Sequence, residues 1–169
     1  MEGFFDGLER AVREQNWPAA LVMALTLPDI CAKTVAPTDR SQKRYVAWYD
    51  AHLKQKYTRP VGPGGGKRVF LSGKDCYALR CALLHEGSSD ISTQSAREVL
   101  SRFQFCTPGQ FNIRLHCNQI NDVLIVMVDD FALDVLDAGR TWWASLGDVE
   151  RESTTQRLFT LKSTDNFST

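Results

Sequence analysis

PAALVMALTL, residues 18 to 27, is apolar almost all round, and it constrains the chain more than any other stretch. A helix without a polar face cannot lie on a surface, so this one belongs at the centre of a bundle with other helices around it. Asn16 before it is a good helix cap, and Pro18 suits the first turn. Upstream, Phe4, Phe5, Leu8 and Val12 recur at helical spacing, so a first helix ends where the second begins. LPDI, residues 27 to 30, is expected to end the second helix, because the residue before a proline avoids helical geometry.

Thr38 and Asp39 are placed to cap a third helix carrying Tyr45, Trp48, Tyr49, His52, Leu53 and Tyr57 as an aromatic stripe. Such a stripe serves either as core packing or, beside positive charge, as a platform for bases of single-stranded RNA. RPVGPGGG, residues 59 to 66, is a flexible Gly/Pro loop by composition, either plain linker or substrate-facing. It is no phosphate loop, since Val61 stands where a Walker motif needs its first glycine and Arg68 where it needs Ser or Thr. Ser72 and Asp75 make a capping box with a short acid, opening a helix that Gly87 closes. SRFQFC, FNIRLHC and VLIVMV then read as short strands, with Asn121-Asp122 as a hairpin turn and a small antiparallel element as the result. Asp129 to Leu146 returns to helical spacing, with Asp130, Asp134 and Asp137 opposite the apolar face; such acids hold a divalent cation or line a solvated face. The tail from 148 to 169 is expected to be partly ordered, and RLFTLK to add one strand.

A chain of 169 residues with 43% apolar content fits a single domain with a real core. The fold class expected is mainly α, a helical bundle with a small antiparallel β-hairpin insertion. Twenty basic and twenty acidic residues cancel, yet Ala51 to Lys74 holds six positive residues, Lys54, Lys56, Arg59, Lys67, Arg68 and Lys74, and no acid. Of these, Lys54, Lys67, Arg68 and Lys74 are the candidate substrate-binding residues for a polyanion. The run of apolar residues needed to cross a bilayer, roughly 18 to 20, is absent, and MEGFFDGLER carries acids where a signal peptide carries positive charge. A soluble, cytoplasmic protein with no membrane partner is expected. Five cysteines without a CxxC pair suit free thiols, and neither a metal nor another cofactor is expected.

YALRCALLHEG, residues 77 to 87, places Arg80 and His85 on the capped helix. Five positions are roughly 500 degrees of helical rotation, leaving about 140 degrees between the two directions. One helix then makes a poor complete site from the pair, whereas two copies about a twofold axis could bring both pairs into one cleft. Histidine moves protons near neutral pH, and arginine clamps a phosphate through two parallel hydrogen bonds. Together they suit metal-free cleavage of RNA, whose 2′-hydroxyl is a built-in nucleophile. His52, on the aromatic stripe, and His116, beside Cys117, read better as packed residues than as catalysts or ligands.

Arg80, four intervening residues and His85 match the Rx4-6H signature of the HEPN superfamily, which the helical part of the chain, roughly residues 4 to 87, resembles. The resemblance implies a helical bundle, commonly homodimeric, with Arg80 and His85 as the catalytic residues of a metal-independent endoribonuclease. It equally admits a catalytically silent module that binds a partner, a nucleotide or RNA. Members occur in toxin, CRISPR and phage-defence systems. WPAALVMALTLPDIC, RYVAWYD and YALRCALLHEG together are also similar to a family of bacterial and phage-borne proteins. Cys81 is a departure: the position after the arginine is often Asn, Asp or His in active nucleases of the superfamily, and a thiol is a weak donor that behaves as a small hydrophobe.

Overall fold

The structure, a computed structural model, describes residues 1–111 and 113–160. Helix α1 (Glu2–Arg13) buries Phe5, Leu8 and Ala11 and hands the chain to α2 (Trp17–Val35). Asn16 caps α2 as expected, its side chain accepting from the Ala19 amide at 3.3 Å. Contrary to expectation, LPDI does not stop α2, which runs straight through Pro28. A proline in a helix interior costs about 3 kcal/mol. Beyond the break, however, α2 still buries Leu27, Pro28, Cys31 and Ala32, and full burial of one leucine alone contributes about 1.5–3 kcal/mol.

Helix α3 (Ser41–His52) starts at Arg40 with no side-chain cap. Asp39 does not cap it because its carboxylate is taken by Lys43, one turn on, at 3.1 Å. Tyr45, Trp48, Tyr49, Leu53 and Tyr57 are each no more than 3% exposed, so the stripe is core and offers no face to a base. Tyr45 donates to the Leu25 carbonyl at 3.3 Å and Tyr49 to that of Leu71 at 3.2 Å, which satisfies both hydroxyls. A one-turn 3-10 helix (Lys54–Tyr57) leads into a hairpin of β1 (Thr58–Val61) and β2 (Gly66–Val69). Part of the expected loop is therefore strand: Arg59, Pro60 and Val61 pair with Arg68, Lys67 and Gly66. A two-stranded ribbon is all edge, where a proline is tolerated.

Helix α4 (Gly73–Glu86) begins as the sequence suggests, with Ser72 Oγ accepting from the Asp75 amide at 3.1 Å. It ends at Gly87, whose φ of +66° favours glycine. Asp75 does more than cap. Its carboxylate is only 2% exposed and accepts from the amides of Glu98 at 2.7 Å, Val99 at 3.2 Å and Leu100 at 3.4 Å, tying the next loop to the start of α4.

Three strands follow, β3 (Arg102–Cys106), β4 (Asn118–Ile120) and β5 (Val123–Met127), ordered β3-β5-β4. The sheet is mixed: β4 pairs antiparallel with β5 across the expected Asn121-Asp122 turn, while β3 runs parallel to β5. FNIRLHC supplies no strand among its described residues. Arg114 and His116 are drawn to acids on α5 instead, and Cys117 takes a left-handed φ of +57° that breaks extension. Helix α5 (Val128–Ser145) returns along α2. A Cβ on Gly139 would lie 3.0 Å from both Leu27 and Phe5, so glycine permits this close approach. The chain turns once more into α6 (Asp148–Arg157). The expected strand over RLFTLK does not form in its described part, because Arg157 closes this helix; residues 161 and 162 lie outside the described residues.

The result is mainly α with minor β, one continuous apolar core uniting the helices and the sheet. By length and composition α2 would suit a bilayer, but eight of its residues are buried inside the fold. Replacing Asp75 with alanine should strand three amides and lower stability by about 3 kcal/mol. Thermal unfolding should show the loss, and hydrogen exchange should show the amides of residues 98 to 100 opening first.

Candidate functional site

Arg80 and His85 meet within one chain. Arg80 Nη1 lies 3.4 Å from His85 Nε2, although the spacing along α4 predicts that they point apart. Helical side chains lean toward the N-terminus, so His85 tips back over the preceding turn while the long arginine bends to reach it. A guanidinium only donates, so a hydrogen bond at this contact requires Nε2 to act as the acceptor. His85 is exposed at the mouth of the site, and Arg80 is 19% exposed.

The third member is Asp29, which the sequence reading missed. Its Oδ2 accepts from Arg80 at 3.0 Å and its Oδ1 from Arg44 at 3.1 Å, with Ser41 Oγ at 3.3 Å. One carboxylate thus joins α2, α3 and α4. With only 13% of its side chain exposed, it needs those partners. A signal was there to read: Asp29 is the sole acid in α2, and a lone acid on the apolar part of a helix implies cations on the neighbours. The Nε atoms of both Arg44 and Arg80 are buried without a hydrogen-bond partner. Each guanidinium keeps a spare donor.

The candidate substrate-binding cations do not gather here. Lys74 stands eleven residues before His85, about 16 Å along the helix axis. Half of the six cations of the acid-free stretch are neutralised in space: Lys54 pairs with Asp50 at 3.3 Å, Lys74 with Glu98 at 3.2 Å, and Lys56 with Asp134 and Asp137 at 3.1 and 2.9 Å. Arg68 donates to the Gln119 side chain at 3.0 Å and lies over the Phe70 ring. Lys67 is exposed on the hairpin.

The acids of α5 form no metal-binding cluster among the described residues, and they are partly solvated, Asp137 being 67% exposed. Arg114 pairs with Asp129 at 2.7 Å and with Asp130, while Tyr57 donates to Asp134 at 3.1 Å. His116, 11% exposed, sits 4.0 Å from Asp130 and 3.9 Å from Asp134. Burial holds its imidazole below the ordinary histidine range, against the opposite pull of those two carboxylates. Burial likewise lowers His52, which packs on Trp48 with ring centres 4.8 Å apart. All five thiols are free, and burial pushes Cys76 up to about 12, which makes it inert at neutral pH.

The His116 shift fixes the sign of a pH dependence. A folded value below the unfolded value, about 6.5, means that the unfolded chain takes up the proton first as pH falls. The stability that neutral His116 contributes is therefore present above about pH 6.5 and lost as pH falls through the lower folded value. Melting temperatures between pH 7.5 and 5 should fall, and should fall less in His116→Gln.

Compared with protein-family models, with curated proteins and with solved structures, the chain has no match, so the reading of this site rests on its own residues.

Proposed function

We propose that the protein is a metal-independent endoribonuclease of HEPN type, working as a cytoplasmic homodimer in a toxin or phage-defence setting. The observation that supports this most is the contact between Arg80 and His85, a phosphate clamp touching an imidazole at an open surface. His85 Nε2 takes the proton of a 2′-hydroxyl. The 2′-oxygen attacks the adjacent phosphorus, the bond from phosphorus to the 5′-oxygen breaks, and that oxygen leaves with a proton supplied by the second copy's histidine. The products are a 2′,3′-cyclic phosphate and a 5′-hydroxyl. Arg80 stabilises the charge that builds on the phosphoryl oxygens, and no redox or metal step is needed. Lys67 and Arg68, on the exposed hairpin, would hold RNA further along its length.

One observation favours a second reading, a catalytically silent module for a partner, a nucleotide or RNA. Asp29 already occupies Arg80 Nη2, and Cys81 offers no strong donor beside it. Phosphate must then compete with a carboxylate for the clamp.

Purified protein should cleave single-stranded RNA in EDTA, leave 2′,3′-cyclic ends and spare DNA. His85→Ala should cut the rate by about a hundredfold or more without shifting the melting temperature, since the side chain is exposed. Light scattering should report a dimer. Equal RNA degradation by wild type and His85→Ala would refute the nuclease reading and leave the silent module.

A further inference from the structure

Asp29 also lines a cleft of about 340 Å³, formed by α2, α3 and α6, to which Arg80 does not contribute. Lys33, Arg44 and Arg157 line it together with Thr34, and the carboxylate of Asp29 is the single acid among its lining residues. Three cations thus face one anion, and that anion is already shared between Arg44 and Arg80. Among the described residues, Lys33 and Arg157 are held by neutral oxygens alone: Lys33 donates to the Pro37 carbonyl at 2.6 Å, and Arg157 to the Ser153 carbonyl at 3.0 Å and its hydroxyl at 3.3 Å. Arg44 directs Nη1 to the Asp39 carbonyl at 2.9 Å and Nη2 to Asp29, and its buried Nε has no partner. A buried donor without a partner destabilises the fold, and an acceptor reaching it would remove that cost. Ile30 and Leu158 give the same cleft apolar walls. Positive charge, a spare guanidinium donor and apolar walls in one cleft are the chemistry of a phosphate attached to a nucleoside.

We infer that this cleft is a second phosphate site, and that its occupant is the phosphodiester next to the one clamped by Arg80 in the same single strand of RNA. The assignment of the strand rests on the proposed role of Arg80 and His85; the phosphate chemistry of the cleft does not. Asp29 is the reason the two sites adjoin. Its two oxygens hold one guanidinium each, so the phosphates bound by Arg44 and Arg80 lie on either side of a single carboxylate. A mononucleotide carries the same chemistry, and the test separates the two sources.

The probe is a fluorescein-labelled 2′-O-methyl oligonucleotide, which cannot be cleaved because its nucleophile is blocked. Binding to full-length protein is followed by anisotropy across a salt series. Lys33→Ala and Arg157→Ala, both at exposed positions whose folding is checked by circular dichroism, should each weaken binding by about tenfold. Each should also reduce the log-log salt slope by about 0.7, the value for one lost phosphate contact on a single strand. AMP and ATP, titrated separately, should bind far more weakly than the strand. Wild-type affinity in both variants would overturn the inference, as would ATP binding as tightly as the oligonucleotide, which would assign the cleft to a free nucleotide. Because the probe is not cut, the outcome stands apart from catalysis: lost affinity in the variants of an inactive protein keeps the cleft and removes only the nuclease reading.

Discussion

A nineteen-residue helix with a single acidic side chain stays out of water only if neighbours cover it, and α2 draws on α1, α3, α4 and α5 for that cover. The demand sets the architecture. Helix α5 comes close enough that position 139 must be glycine-sized, and α3 turns a full row of aromatic rings inward. It also sets where polar chemistry is possible. Asp29 sits near the end of the buried stretch, where α2 leaves the core, and the two arginines that answer its charge come from the neighbouring helices on either side. The candidate site is in this sense a by-product of how the central helix ends.

A carboxylate between two guanidiniums is also a competitor for any anion. Removing one member of a buried ion pair is far costlier than forming the pair is favourable. A phosphate entering at Arg80 therefore succeeds only if it replaces part of what Asp29 supplies, because the remaining donor, Nε, is buried. The other charges are distributed differently. Along α5, Asp129, Asp130, Asp134 and Asp137 are held by Lys56, Arg114 and Tyr57, so that network acts as a fastening that keeps a net negative charge.

What the sequence made legible was local. Asn16 with Pro18, Ser72 with Asp75, and Gly87 act within one helical turn, and each marks its boundary where the structure has it. What it hid was tertiary. Pro28 reads as a stop until the surface beyond it is known to be buried. FNIRLHC has the composition of a strand, yet Arg114 and His116 answer to acids on a helix that the chain has not yet made at that point. Asp29 is separated from Arg44 by 15 residues and from Arg80 by 51, so no window along the sequence could join them. The contact of Arg80 with His85 was missed for a subtler reason: rotation about a helix axis locates Cβ atoms, and the reach and lean of the side chains did the rest.

The hairpin of β1 and β2 divides the chain in a way unrelated to any site. Residues 59 to 69 are exposed throughout, the tip around Gly62 to Gly65 among them. A peptide bond cut there would leave an amino-terminal piece holding α1 to α3 and a second piece holding α4, the mixed sheet, α5 and α6. Neither piece could hide its own apolar face, since α2 and α5 form the most extensive helix contact in the molecule and lie one in each. The two halves are thus held together by that buried contact as well as by the backbone between them. Insertions at the tip, or separate synthesis of the two pieces, should leave them able to assemble by the same burial that holds the intact chain.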